Sequence, residues 1–348
     1  MLDIALYRKY RPQNFKQVLG QAHVTDVLAE SVRQGSIAHA YLFAGSRGTG
    51  KTSVARILAK EIGTSDNDLF EIDAASNRGI DDVRALREAV NTMPFESKRK
   101  VYIIDEAHML TKEAFNALLK TLEEPPKHVV FILATTELEK LPETIISRCQ
   151  VFSFKKPSHR LLREMIQATA KAEGFTLEPA VADLIALLGD GSFRDAQGIL
   201  QKVIGSSMNK KIELAEVERV TGAPSRTLVD EYVIALAEND FARGVKALRQ
   251  ASEKNTDFSV YAKLMLERVR AILLLKYAPA MEASIKEEVS DEEFILLAKL
   301  AHQSENKINS QTLLELLDAS TRLRFSAIPE LPLELALAKL TIEREIGN

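Results

Sequence analysis

The sequence predicts an α/β domain built on a parallel sheet covered on both faces, followed by two all-helical domains. Two observations predict this. Over the first 155 or so residues, short apolar β-branched runs alternate with amphipathic helical stretches, and after Lys155-Lys156-Pro157 the strand signal fades into helix after helix. The length of 348 residues fits two or three domains at roughly 100–200 residues each. With 46% hydrophobic and 27% charged residues, 15 glycines and 11 prolines, the composition is that of a globular protein and excludes collagen-like, low-complexity and largely disordered chains. Lys plus Arg is 46 against Asp plus Glu 49, a net charge of −3. No overall basic field advertises nucleic-acid binding, so any DNA contact has to come from a local patch. The single cysteine, Cys149, rules out a disulfide framework or a four-thiolate zinc site within one chain and fits a reducing compartment. No apolar run approaches the roughly 18 residues that span a bilayer, and Asp3 interrupts Met1–Leu6 ahead of Arg8 and Lys9. The expectation is a soluble, cytoplasmic chain with no leader, anchor or membrane partner.

In chain order, Tyr41–Ala44, Leu69–Asp73, Val101–Ile104, Val129–Leu133 and Val151–Phe154 are short, apolar and β-rich, as buried parallel strands are. Between them Val54, Ile57, Leu58 and Ile62 share one helical face after Thr52, and Ala114, Leu118, Leu119 and Leu122 share another after Thr111. The helical remainder breaks at Gly174, Gly189–Ser192, Thr221–Pro224, Ala278–Pro279 and Ile328–Pro332. Ser290 with Glu293 predicts a capping box ahead of Phe294–Leu300, and Pro332 suits the first turn of a final helix through Ile342. The expected domains are residues 1–156, 157–223 and 224–348. No internal repeat is visible.

Gly45-Ser46-Arg47-Gly48-Thr49-Gly50-Lys51-Thr52 fills the pattern G-x-x-x-x-G-K-[ST] between a predicted strand and a predicted helix, the context that this phosphate-binding loop requires. Its glycines let successive backbone N–H groups wrap a phosphate chain at a helix N-terminus. Lys51 would reach the β- and γ-phosphates, and the Thr52 hydroxyl would ligate Mg²⁺. Val101–Ile104 then runs into Asp105-Glu106-Ala107-His108, which puts two carboxylates at the carboxyl edge of the sheet. Asp105 would hold the magnesium and Glu106 would orient the attacking water. Taken alone, the acidic pair also reads as a helix-capping surface feature. His108 has no second His or Cys at ligand spacing, so a helix-start or packing role is expected of it. Arg148 and Arg194 by position alone read as surface arginines.

Together these residues resemble the AAA+ ATPases, and more closely the clamp-loader subunits of the bacterial DNA polymerase III holoenzyme. The resemblance runs through Tyr7–Pro12, Val18–Gln21, His39–Phe43, the phosphate loop and Glu71–Ser76. It continues through Asp105–Leu110, Asn116–Pro126, Leu133–Glu137, Ser147-Arg148-Cys149, Gly191–Ala196 and Ile328–Ala336, and so covers the whole chain. It implies a RecA-like AAA+ domain, a small helical lid and an all-α collar. It also implies ATP and Mg²⁺ as cofactors, held by residues Gly45 to Ser53 with Arg11, Pro12 and Val18 near the adenine. Thr136 is then the polar sensor at the γ-phosphate and Arg194 the lid's sensor on the phosphates of its own chain. Arg148 is the finger that acts on the ATP of a neighbouring subunit. The implied partners are the other subunits of a five-membered ring, the sliding clamp and primer–template DNA. Arg78 and Arg84 lie in the segment that tracks the DNA backbone in that family, although pairing with Asp81, Asp82 and Glu88 is an alternative.

Two departures stand out. Gly63–Asp68 joins elements between which the family usually inserts a four-cysteine zinc module, so no zinc is expected. The chain also ends after the collar, without the longer form's helicase- and polymerase-binding tail. The sequence points to an ATP-hydrolysing motor subunit with no polymerase chemistry of its own. An ATP-binding scaffold and an AAA+ recombination or repair motor remain open.

Overall fold

Five short strands form the first layer: β1 (Ala40–Ala44), β2 (Leu69–Asp73), β3 (Lys100–Asp105), β4 (Val129–Thr135) and β5 (Gln150–Ser153). In the computed structural model, which describes residues 4–76, 86, 88–207, 209–289 and 291–342, they pair in parallel in the order β2-β3-β4-β1-β5. β1 and β4 are buried along their whole length. This is why they read as unbroken apolar runs rather than as alternating ones.

Side-chain alternation divides the sheet's faces between two cores. Leu42, Tyr102, Ile104, Phe131 and Leu133 pack with Phe115, Leu118 and Leu122. Tyr41, Phe43, Ile103, Ile132 and Phe152 pack with Val24, Leu28, Val54 and Leu58. The helices that cover the faces are α1 (Ala22–Gln34), α2 (Lys51–Glu61) and α3 (Lys112–Glu123). Thr111 caps α3 by accepting the Ala114 N–H. Burying one such large apolar side chain contributes roughly 1.5–3 kcal/mol, so each face is held by several independent anchors.

The chain divides into two compact units, residues 2–162 with 189–198, and residues 163–188 with 199–348. The first holds the sheet, most of α4's first turn (α4 being His159–Ala172) and the N-terminal turn of α6 (Phe193–Ser206). The second unit is helical: α5 (Pro179–Leu188), α7 (Leu214–Thr221), α8 (Arg226–Glu238), α9 (Phe241–Glu253), α10 (Phe258–Tyr277), α11 (Glu282–Glu288), α12 (Asp291–His302), α13 (Ser310–Arg322) and α14 (Leu331–Thr341). Its largest core gathers Tyr232, Leu248, Tyr261, Met265, Leu316 and Leu337. α14 begins as expected, with Pro332 in its first turn. The capping box expected at Ser290 falls outside the described residues.

The strand signal after residue 157 does not vanish entirely. Thr176–Leu177 and Lys211–Ile212 form a two-residue parallel pair in the second unit. Two residues carry no readable period, so nothing local marks the pair; it forms because α5 and α7 pack together and bring the segments preceding them alongside.

Candidate nucleotide site

Parallel pairing brings the ends of β1, β3 and β4 to one edge of the sheet. Ala44 lies opposite Thr135, and Ile104 opposite Leu133. The loop Gly45–Gly50 leaves β1 there and enters α2. Gly45 and Gly48 have φ of 151° and 73°. A Cβ on Gly45 would lie 2.5 Å from the Phe154 carbonyl oxygen, and one on Gly48 would lie 1.9 Å from Ser192 Oγ. Both positions therefore need glycine for space as well as for conformation. The Gly48 carbonyl accepts the Phe193 N–H at 3.0 Å, so the start of α6 is docked on the loop.

Lys51 is 6% exposed and donates through Nζ to the carbonyls of Gly45 and Ser46, at 2.6 and 2.9 Å. Burial lowers its pKa, against the opposing pull of the Glu106 and Asp105 carboxylates. Thr52 Oγ1 donates to Asp105 Oδ2 at 2.8 Å. A hydroxyl and a carboxylate oxygen in direct contact are a hard donor pair suited to Mg²⁺, which is usually held by one or two protein oxygens, with phosphates and water completing its shell. Among the described residues no group of three His, Cys, Asp or Glu side chains converges on a metal. The residues thus fit a magnesium carried in with phosphates.

Glu106 follows Asp105 with φ 48°, in the left-handed region that favours glycine, and its N–H donates to Asp105 Oδ1 at 3.0 Å. Such a conformation costs on the order of 1 kcal/mol or more and is held by its surroundings. Thr136 Oγ1 donates to Glu106 Oε2 at 3.0 Å. The two residues, thirty apart in sequence, meet only because β3 and β4 are neighbours. His108 is buried in the same place, with Nδ1 3.0 Å from Thr135 Oγ1.

The remaining predicted residues are placed as follows. Arg11 Nε donates to Ser53 Oγ at 3.1 Å, which ties the N-terminal segment to the first turn of α2. Pro12 is half-buried, Val18 packs on the face shared with Val54, and Arg47 is exposed. Arg194 stacks its guanidinium over the Tyr7 ring at 4.9 Å. Arg148 stands apart: Nη2 donates to Glu123 Oε1 at 2.6 Å and Nη1 to the Thr144 carbonyl at 2.7 Å. Arg78 and Arg84 lie outside the described residues.

Against this geometry, the family model described as "DNA polymerase III, delta subunit" matches residues 20–73 and 63–158, and that for "DNA polymerase III subunits gamma and tau domain III" matches 212–346. The chain is 36% identical to the DNA polymerase III subunit tau of Bacillus subtilis over 361 aligned positions, covering 97% of this chain and 63% of that protein. Over almost its whole length the chain is similar to the gamma/tau subunits of DNA polymerase III. The Escherichia coli member of the gamma/tau family, subunit tau, is 38% identical over 296 positions, which cover 79% of this chain and 46% of its own length. The chain thus spans about half to two-thirds of these relatives. Its fold is also that of the Thermotoga maritima RuvB Holliday junction branch migration motor, at a TM-score of 0.54 and 21% identity, over 89% of this chain and 98% of that one.

Sequence reasoning gave no task to three supports of this site. Gln21, fully buried, donates to the carbonyls of Thr49 and Lys155 at 3.4 and 2.8 Å and accepts the Lys155 N–H. Ser192 caps α6 by accepting the Asp195 N–H and packs against Gly48. Tyr7 carries Arg194. Tyr7 and Gln21 lie within the motif segments Tyr7–Pro12 and Val18–Gln21, and Ser192 follows Gly189–Gly191 as a cap residue, but none of the three was given a role.

Proposed function

We propose that this chain is the ATP-binding and ATP-hydrolysing motor subunit of a DNA polymerase III clamp loader, loading the sliding clamp onto primed DNA. The observation that carries the reading is the convergence of Lys51, Thr52, Asp105, Glu106 and Thr136 on one sheet edge, in a chain that matches gamma/tau relatives from end to end. In this reading residues 1–156 are the AAA+ domain, 157–223 the lid and 224–348 the collar of a five-subunit ring in the cytoplasm. Among the described residues no helix is long and apolar enough to cross a membrane.

In this reading the loop N–H groups of residues 45–53 cradle the phosphates, with Lys51 on the β- and γ-phosphates and Arg11, Pro12 and Val18 beside the adenine. Thr52 and Asp105 hold Mg²⁺, which when bound neutralises charge on the transferring phosphoryl group. Glu106 accepts a hydrogen bond from the attacking water and aims it in line. Thr136, already bonded to Glu106, reports the γ-phosphate to that base. Arg194 reaches the phosphates of its own chain. Arg148 acts in trans; its exposed place beside Glu123, away from Lys51 and Asp105, suits a residue whose target lies on another subunit. Arg78 and Arg84 touch the DNA backbone. Zinc has no part in this reading.

The experiment is steady-state ATP hydrolysis by this chain reconstituted with its companion subunits, with clamp and primer–template added singly and together. Strong stimulation only with both is the expected result. Stimulation by DNA alone points to a recombination or repair motor, and absence of hydrolysis to a scaffold subunit.

A further inference from the structure

We propose that His108 is a positioning residue for hydrolysis: it ties the end of β4 to the acidic turn after β3, so that Glu106 and Thr136 are set as one unit. This rests on the ATPase reading above and goes beyond it, because that reading gives His108 no task.

The His108 side chain is 6% exposed, and its polar surroundings are all neighbours of the reaction. Nδ1 lies 3.0 Å from Thr135 Oγ1 and Nε2 lies 3.4 Å from Glu137 Oε1. Thr135 Oγ1 already accepts the Glu137 N–H at 3.0 Å, so its own proton is available to His108 Nδ1. That network assigns the imidazole proton to Nε2, facing the Glu137 carboxylate. Glu137 is anchored in turn by Lys140 through Oε2 at 2.5 Å. Glu106 Oε2 is 3.5 Å from Nδ1, a nitrogen without a proton in this tautomer. His108 therefore holds the turn through Thr135, with the Glu137 and Glu106 carboxylates 3.4 and 3.5 Å from its ring nitrogens.

The outcome is a closed loop of contacts. The turn carrying Glu106 is hydrogen-bonded through His108 to Thr135 and lies 3.4 Å from the Glu137 carboxylate, and Thr136 bonds back to Glu106 at 3.0 Å. Each ring nitrogen of His108 faces a polar neighbour, Thr135 or Glu137, and both stand at the sensor end of β4. In-line attack tolerates little displacement, since a misplacement of about 1 Å costs on the order of 100-fold in rate. Coupling the two residues rigidly is one way to hold that tolerance.

The test uses the full chain assembled with its companion subunits, measuring kcat, KM, equilibrium affinity for a fluorescent ATP analogue and thermal midpoint. His108→Ala is expected to lower kcat by roughly 10- to 100-fold with affinity within about twofold. His108→Asn, which keeps an amide within reach of Thr135 Oγ1, should recover most of the rate. Thr135→Val, nearly isosteric, should reproduce the His108→Ala loss and carries the test if the alanine variant melts early. Adding Thr136→Val to His108→Ala should cost little more than Thr136→Val alone. Wild-type kcat in both His108→Ala and Thr135→Val overturns the proposal, as does a loss that falls on affinity as much as on kcat. Glu106→Gln separates the two claims: hydrolysis that survives it removes Glu106 as the water-orienting residue and the proposal with it but leaves the ATPase reading standing, whereas hydrolysis that stops leaves the His108 result to decide the proposal alone.

Discussion

Lys51 and Glu106 show how differently two residues of one site contribute. The Lys51 ammonium is buried against the carbonyls of Gly45 and Ser46, and its distance from water is what makes it sensitive to the charges around it. Exchanging those carbonyls for phosphate oxygens replaces neutral acceptors with charged ones, about twice as strong as partners. Lys51→Ala is expected to weaken ATP binding by on the order of 100-fold or more, read by equilibrium titration with a fluorescent nucleotide. Glu106 contacts Thr136 and not the loop, so Glu106→Gln should leave that affinity within a few-fold. Its expected loss is in turnover, by roughly 10²–10⁴, read by steady-state phosphate release.

At the scale of single elements, the link into β2 shows how a short connection is made rigid. Asp68 has no exposed surface, although it lies shallow beneath one loop, and it accepts the N–H groups of Phe95, Glu96 and Ser97 at 2.6, 2.9 and 2.7 Å. Burial by itself would push this carboxyl up; the bonds from Phe95, Glu96 and Ser97 outweigh it and hold the group well below the usual carboxylate range. A carboxylate lowered in this way contributes stability above its unfolded value of about 4, and that stability is lost as the pH falls through the folded value. Asp68→Ala leaves three amides unpaired and should cost roughly 2–4 kcal/mol at neutral pH. Asp68→Asn should flatten the fall in stability below about pH 4 that the wild type shows, both read by denaturant unfolding. In the helical unit, Arg268 of α10 and Asp230 of α8 are charged groups 2.9 Å apart, aligned for ionic contact rather than for a hydrogen bond. Burial raises the Asp230 pKa in spite of Arg268 and Arg226. Arg268→Ala leaves Asp230 with Arg226, 3.6 Å away, as its remaining partner and should destabilise by about 3 kcal/mol, whereas the double replacement Arg268→Met with Asp230→Leu should recover most of the loss in thermal melting.

For the molecule as a whole, the question is what the chain does alone and what it does in company. Arg148 is bonded to Glu123 on the surface, and an exposed pair of this kind is worth about 0–1 kcal/mol, so it yields readily to a stronger anion. The expectation is that Arg148→Ala binds ATP as tightly as the wild type while the reconstituted ring loses hydrolysis by roughly 10³-fold or more. Unchanged hydrolysis in the assembled variant would remove the trans role.

Part of this was readable residue by residue. The phosphate loop, the Asp105-Glu106 strand end and the positions of all five strands stand out because each depends on local chemistry: glycines where a backbone must approach closely, apolar runs, a strand that ends in charge. β1, β3 and β4 are buried as expected, whereas the edge strands β2 and β5 are largely exposed. The likeness to the gamma/tau subunits was legible for the same reason, since the motifs that carry it are contiguous. What was hidden joins residues distant in the chain. Gln21 to Lys155, Asp68 to Phe95, Thr136 to Glu106 and His108 to Glu137 are each ordinary polar residues in sequence. Glu106 and Thr136 had roles from the sequence, but the contacts themselves exist only where parallel pairing and helix docking bring the partners within 3.5 Å. Hydrogen bonds and ion pairs depend on distance and direction in space, and neither is set by a residue's own neighbours along the chain.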